Sequence, residues 1–383
     1  MSALPLVIVI NQNPSLGGGE VYTAFFCRAL LDLGYPVTLF VHPQATFCNQ
    51  LEIQAQQGFS VIRLENEAAL LQALPTGRAW VVTHARISAE TARAIRQTHL
   101  LTGFCHMPLF DRKPDVLMQY DWVFAVSQYV LGTMRSHGMD NVYAEPLYGV
   151  ATLDRHASNE KAPIVRRAII APDRRIIRDR FFSWFERLKL RCVPQPRFAK
   201  RPGLTFALVS AIGPIKQFDH LFAVLAPILA RHATVHLDIF GQGSVHSVRK
   251  LRKALAPLGE RARFWGFQND IPTLYAHVDY LLTGLPEKEA LGLNVLEAQA
   301  SGVPVLAVNA APFTETVIDG VTGYLYQDPR KDQGASFAVL LEQLIAQAKP
   351  IDPRAAPEHL ARFSQAAFNE RVRGLAEFAL AQL

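Results

Sequence analysis

The sequence predicts an α/β protein made of two successive domains, each a parallel sheet covered by helices on both faces. Three observations carry that expectation. The chain has 383 residues, beyond the size at which a single core stops growing. Short, continuous apolar runs alternate with segments of helical period, the pattern of parallel strands buried on both sides. The alternation then starts afresh after residue 200.

Taken in order, LVIVIN (6–11) is a short buried strand. The glycine-rich turn PSLGGGE follows, then a helical pattern through VYTAFFCRALLDLG that Gly34 stops. PVTLFVH (36–42), FSVIRL, WVVTHA (80–85), LLTGFCH (100–106) and WVFAVS (122–127) continue as strands with helical segments between them. These make a first domain over 1–160. The second, over 203–356, repeats the pattern. It has strands at LTFALVS (204–210), TVHLDIFG (234–241), ARFWGF (262–267), VDYLLTG (278–284) and VPVLAVN (303–309), with helices over 218–231 and 245–256. A last helix over 357–383 is expected to cross back to the first domain.

Between the domains, 161–202 resembles neither half. Its stretch 174–201 carries ten Lys or Arg against two acids, with four Phe and one Trp interleaved. Two readings stay open: a linker helix with a solvated basic face, or a contact with a membrane surface or anionic acceptor. Over the whole chain 39 basic residues face 33 acidic ones, a formal +6 that suits anionic small molecules or lipid as well as nucleic acid. No nucleic-acid motif accompanies that charge, so no nucleic-acid partner is expected. Cys27, Cys48, Cys105 and Cys192 form neither a zinc pattern nor a disulfide framework. The N-terminal apolar run is too short for a signal peptide, and no stretch reaches membrane-spanning length. A soluble, cytoplasmic protein is expected, with peripheral contact at the inner membrane face if 174–201 binds lipid.

The segment EALGLNVLEAQASGVPVLAVN (289–309) holds the most chemistry. Glu289 falls in the loop after a strand, a helix starts near Gly292, and Glu297 lies about a turn and a half inside it. Ligands of open parallel sheets bind beyond the carboxyl ends of strands, where helix N-termini offer free amides to anions. The amides of Ala290, Leu291, Gly292, Leu293 and Asn294 would cradle phosphate. A carboxylate only accepts hydrogen bonds, so it is a poor partner for phosphate and a good one for paired sugar hydroxyls. One glutamate for a ribose and one for a second sugar is what a nucleotide-sugar requires; a surface glutamate plus a helix-dipole glutamate is the plainer alternative.

This segment, continued through NAAPFTETVIDGVTGYLY, resembles the donor-binding signature of retaining GT-B glycosyltransferases, particularly glycosyltransferase family 4. The resemblance spans roughly 200–330 and includes Asp319-Gly320-Val321-Thr322-Gly323-Tyr324. It implies two Rossmann-like domains facing across a cleft, with a nucleotide-diphosphate sugar as donor and a glycan or lipid-linked acceptor. Glu289 would hold the transferred sugar and Glu297 the nucleotide ribose. Lys216 fits the lysine of a diphosphate-gripping pair, but its usual arginine partner is Ala211 here, which removes a bidentate clamp. Gly241 and Gly243 match the loop under the nucleotide, and the backbone around Phe267 would meet the base.

The N-terminal half matches more loosely. Gly18 and Gly19 suit amides aimed at phosphate, with Glu20 as a dipole partner. His106 would face the transferred sugar or acceptor, and His84 is a weaker candidate of the same kind. Ser127 matches a family serine whose plainer role is capping, and Tyr148-Gly149-Val150 departs from the usual Asn-Gly-Val. Acceptor choice would lie in loops near 42–60, 84–98 and 106–120.

No Asp-x-Asp triplet occurs, so neither a diphosphate-chelating metal nor any other cofactor is expected. Leaving-group charge would fall on Lys216 and backbone amides, with domain closure excluding water. The resemblance implies retention of anomeric configuration, in cell-envelope polysaccharide or lipopolysaccharide synthesis. Two rivals remain. A GT-B-fold epimerase or hydrolase would act without acceptor, and a non-catalytic binding subunit would be favoured by Ala211.

Overall fold

A computed structural model describes residues 4–14, 17–45, 47–50, 58–151, 163–171, 177–347 and 349–383. Ser15 and Leu16 of the glycine-rich turn, residues 46 and 51–57 of one expected acceptor loop, and 161–162 and 172–176 of the expected linker lie outside them. The chain divides into two compact units, Met1–Ala151 with Ala361–Leu383, and Thr152–Leu360. The segment read as a linker therefore groups with the second unit.

Unit 1 holds β1 (Val7–Asn11), β2 (Val37–Val41), β3 (Phe59–Arg63), β4 (Trp80–Thr83), β5 (Leu100–Cys105) and β6 (Trp122–Ala125). They form one parallel sheet in the order β3-β2-β1-β4-β5-β6. Its helices are α1 (Gly18–Asp32), α2 (Phe47–Gln50), α3 (Glu67–Ala73), α4 (Ala89–Arg96) and α5 (Gln128–Ser136). β1 is buried along its whole length, which is why its apolar residues run without alternation. Gly34, at φ +88°, ends the first helical turn-out where a side chain would be strained.

Unit 2 begins with α6 (Ile177–Cys192) and β7 (Leu204–Val209), α7 (Phe218–Ala230), β8 (Val235–Phe240), α8 (Val245–Ala254), β9 (Ala262–Phe264) and α9 (Ile271–Tyr275). β10 (Tyr280–Leu282), α10 (Leu293–Ala300), β11 (Val305–Val308), α11 (Phe313–Thr316), β12 (Gly323–Tyr326), α12 (Pro329–Asp332), α13 (Ala335–Ala346) and α14 (Pro357–Ala361) follow. The sheet order is β12-β11-β10-β7-β8-β9, again parallel throughout. Counted from its own first strand, each sheet runs 3-2-1-4-5-6, the doubly wound order of dinucleotide-binding folds. Period two along β7 divides the core. Phe206 and Leu208 join Leu221, Leu225 and Phe337 on one face, while Ala207 and Val209 join Tyr275, Val295 and Phe313 on the other.

The predicted C-terminal helix is broken. α14 ends at Ala361 and α15 (Gln365–Leu380) begins anew, its first turn capped by the Ser364 hydroxyl accepting from Ala367 N at 3.2 Å. α15 packs on α1 in unit 1: Phe368 meets Tyr22 edge-on at 5.6 Å, and Asn369 donates to Asp32 at 3.0 Å. The strand expected over 262–267 stops at Phe264, and the stretch read only as a glycine motif, 319–324, leads into β12.

Candidate functional site

In unit 2 the chain order reverses between β7 and β10, and the loops leaving their carboxyl ends meet. Glycine lets them. A methyl group at Gly284 would lie 2.3 Å from the carbonyl oxygen of Lys216, and that oxygen accepts from Leu285 N at 3.1 Å. The contact sets Lys216 beside the loop that carries Glu289. Their side chains form an ion pair, and Glu289 is buried, at 8% exposure. The second carboxylate oxygen accepts from the Ala290 amide at 3.2 Å. That bond corrects the expected cradle: the Ala290 amide is spent on Glu289, leaving those of Leu291, Gly292, Leu293 and Asn294 as candidates for phosphate.

Gly292 caps α10 at φ +85°, a left-handed conformation that turns the chain into the helix. First-turn amides have no intrahelical acceptor, so those of Leu293 and Asn294 point outward from the helix start. The Asn294 side chain donates to Val209 O at 3.1 Å, and its carbonyl accepts from the Tyr275 hydroxyl at 3.1 Å, which ties the helix start to β7 and α9. Glu297 is half-buried one turn further on. Burial, and then its negative charge, hold the Tyr275 phenol well above the usual range. The helix is locked from behind by buried Gln299, which donates to Thr316 O at 2.8 Å and Thr322 Oγ1 at 3.2 Å. Thr322 of the Asp319–Gly323 motif thus helps to hold α10 in place.

Gly241 and Gly243 approach the chain's own backbone. Methyl groups there would lie 1.9 Å from Ser210 O and Ile212 O, on either side of Ala211. Gly241 N donates to Gly266 O at 3.0 Å, which brings Phe267 alongside. Phe267 and Gln242 line a cavity of about 450 Å³ together with Arg166, Arg167, Arg187 and Arg191. Ile212 N donates to Gln242 O at 2.9 Å, so one residue of the cavity wall is bonded to the loop in which Ala211 stands in place of the expected arginine. A further arginine, Arg330, bridges Asp328 at 2.6 Å and Glu287, and Glu287 accepts from Gln217 at 3.1 Å, next to Lys216. Those bonds hold the Arg330 guanidinium above its usual pKa. Sequence reasoning had Arg187 and Arg191 only as part of the basic stretch 174–201, and missed Arg166, Arg167 and Arg330 because nothing in their local spacing marks them.

In unit 1, Gly18 and Gly19 open α1, with Gly17 as its cap. A methyl group at Gly19 would sit 4.0 Å from the His106 ring. His106 Nε2 and His84 Nδ1 are 3.0 Å apart, stacked at 5.2 Å in a nest with Tyr22 and Phe104. Burial pushes His106 down to about 4, and burial with the neighbouring imidazole lowers His84 well below its usual value. Both rings are neutral at neutral pH. His84 Nε2 finds no partner among the described residues, and an orphaned acceptor is tolerated better than an orphaned N–H. The tautomer that satisfies this has His84 Nδ1–H donating to His106 Nε2, which puts the His106 proton on Nδ1. Glu20 is more than a dipole partner: it is buried, accepts from Asn13 at 2.7 Å, and has its carboxyl pKa raised by burial. Ser127 caps α5, accepting from Val130 N at 3.1 Å. Tyr148 is a packing anchor, with the Arg371 guanidinium 5.3 Å above its ring.

No group of three or more His, Cys, Asp or Glu residues suited to a metal occurs among the described residues, and no described helix is long and apolar enough to cross a membrane.

Comparison with known proteins bears on the fold and on one segment of the chain. Residues 196–367 match the family described as Glycosyl transferases group 1. A D-inositol 3-phosphate glycosyltransferase from Mycobacterium marinum is 32% identical over 164 residues, 41% of this chain and 34% of that protein. The chain spans about a third of the length of the curated relatives it matches first. Among solved structures, Anabaena HepE in complex with UDP and glucose aligns with a TM-score of 0.70 at 17% identity, over 99% of this chain and 100% of that one. The apo lipopolysaccharide outer core galactosyltransferase WaaB gives 0.63 at 14% identity over 99% of each chain, and a Rickettsia africae glycosyltransferase gives 0.64 at 14% identity over 98% of this chain and 99% of that one. The chain thus has the GT-B fold of two Rossmann-like α/β domains, and its segment 196–367 carries the match to the group 1 glycosyl transferases.

Proposed function

We propose that the protein is a retaining glycosyltransferase that moves a sugar from a nucleotide-diphosphate sugar to a glycan or lipid-linked acceptor in cell-envelope polysaccharide or lipopolysaccharide synthesis. One observation carries the proposal. Glu289 is buried against Lys216 at the switch point of the second sheet, and the half-buried Glu297 follows it within the helix whose first turn supplies free amides. Glu289 accepts from hydroxyls of the transferred sugar, Glu297 from those of the ribose, and the diphosphate lies on Lys216 and the amides of Leu291 to Asn294. The bond from the anomeric carbon to the phosphate oxygen breaks as the acceptor oxygen attacks from the same face. The acceptor proton passes to the departing phosphate, so no strong protein base is needed. Lys216 and the amides stabilise the charge that grows on the leaving group without metal. His106 donates a hydrogen bond to the acceptor or the transferred sugar. The bound sugars of HepE and the acceptors named for the relatives support this class of chemistry by likeness.

The test is a turnover and binding assay with UDP-, GDP- and ADP-sugars. Glu297→Ala should lose nucleotide affinity, and Lys216→Met should lower turnover by about 10²–10³-fold, the effect of removing one donor to a developing anion. Turnover should persist in EDTA and require acceptor. Absence of nucleotide-diphosphate binding, or affinity unaltered in Glu297→Ala, would overturn the proposal.

A further inference from the structure

α6 is turned inside out. Its apolar residues Phe181, Trp184, Phe185 and Leu188 recur at i, i+3, i+4 and i+7, the spacing of one helix face, yet they are 59, 60, 55 and 43% exposed. The opposite face, packed on unit 2, carries Asp179 and Ser183, both buried, and Glu186. Glu186 accepts from the amides of Ile169 and Ile170 at 3.0 and 2.9 Å, fixing the helix by its polar side. Phe182, on the flank of the packed side, lies under the Arg249 guanidinium at 5.7 Å. The helix is thus anchored with its largest apolar side chains left facing out.

Charge frames that stripe. Arg180, Arg187 and Arg191 fall along one border and Arg178 and Lys189 along the other, all exposed. The only two acids of α6 are on the packed side, so its outer surface is entirely cationic. Aromatic rings between basic borders match the headgroup and acyl boundary of an anionic bilayer, where rings insert and cations meet phosphates. Two copies of the chain stacked on this face would bring like-charged borders together, which argues against self-association.

We propose that α6 lies flat on an anionic phospholipid membrane, inserting Phe181, Trp184, Phe185 and Leu188 between cations that meet the lipid phosphates. The proposal stands apart from the transferase function, since binding is measured without donor or acceptor. The experiment is flotation of the full chain with vesicles of phosphatidylcholine alone or with about a third phosphatidylglycerol, read alongside tryptophan emission. The protein should float with the anionic vesicles only, release at high salt, and shift its emission to the blue. Trp184→Phe should abolish the shift and keep flotation, because Trp80 and Trp265 are buried and Trp122 is half-buried against Phe378 within unit 1. Changing Phe181, Trp184 and Phe185 together to Ser should weaken partitioning about a hundredfold. Arg180→Gln with Lys189→Gln should weaken it by about thirtyfold, at one charge contact each. This second, wholly surface variant keeps the test decisive if the Ser variant misfolds. Failure to float with anionic vesicles, flotation unaltered by either variant, or a wild-type dimer that the Ser variant converts to monomer would each overturn the proposal; the last would give the face to a second copy.

Discussion

Asp238 is fully buried on β8 and serves three donors: Nε and Nη2 of Arg263 at 2.7 and 2.8 Å, and the Trp265 indole at 2.8 Å. Asp238→Ala strands a partly buried guanidinium and an indole N–H, and should lower stability by about 3 kcal/mol, measured by urea unfolding. The imidazole pair of unit 1 makes a pH-dependent contribution. His106 has a folded pKa of about 4 against an ordinary value near 6.5, so the unfolded chain takes up its proton first as pH falls. Stability from this group is whole above pH ~6.5 and is lost as pH drops toward about 4. The thermal midpoint should fall over that window, and less steeply in His106→Gln. At this scale Glu289, Glu297 and Lys216 stand out in sequence as candidates because their spacing or motif is local, and the structure pairs Lys216 with Glu289. Asp238, Arg330 and the arginine-lined cavity could not, since each depends on partners far away in the chain.

Among elements, the close contact of the β7 and β10 loops is the sharpest constraint. Gly284→Ala would drive its methyl group into Lys216 O and push the 213–217 loop from Glu289. It should cost about 1–3 kcal/mol in stability, seen in thermal unfolding, and turnover should fall with it. The strands were legible because burial on both faces leaves continuous apolar runs, and Gly34 and Gly292 marked a helix end and a helix start. Three features were not. The apolar residues of the C-terminal segment keep their helical spacing across 362–364, so the break there shows only in the Ser364 cap. β12 was hidden inside a glycine motif. The orientation of α6 was open because its periodicity is the same whichever face is packed.

For the whole molecule, the decisive feature is that Ala361–Leu383 belongs with Met1–Ala151. Val372, Leu375, Ala376 and Ala379 of α15 are fully buried, and Phe378 packs on Trp122 at 4.9 Å. A chain ended after Leu360 should lose hydrogen-exchange protection in β1 to β6 and keep it in β7 to β12. Two parallel sheets were readable in sequence from the repeated alternation, and a return of the last helix to the first domain was expected; its site of packing needed coordinates.

The same feature sets an order of events during synthesis. The segment that completes the first unit is synthesised only after the whole of the second unit. The N-terminal sheet must therefore wait, with the seat of its final helix uncovered, while the later sheet is made and can already close on itself.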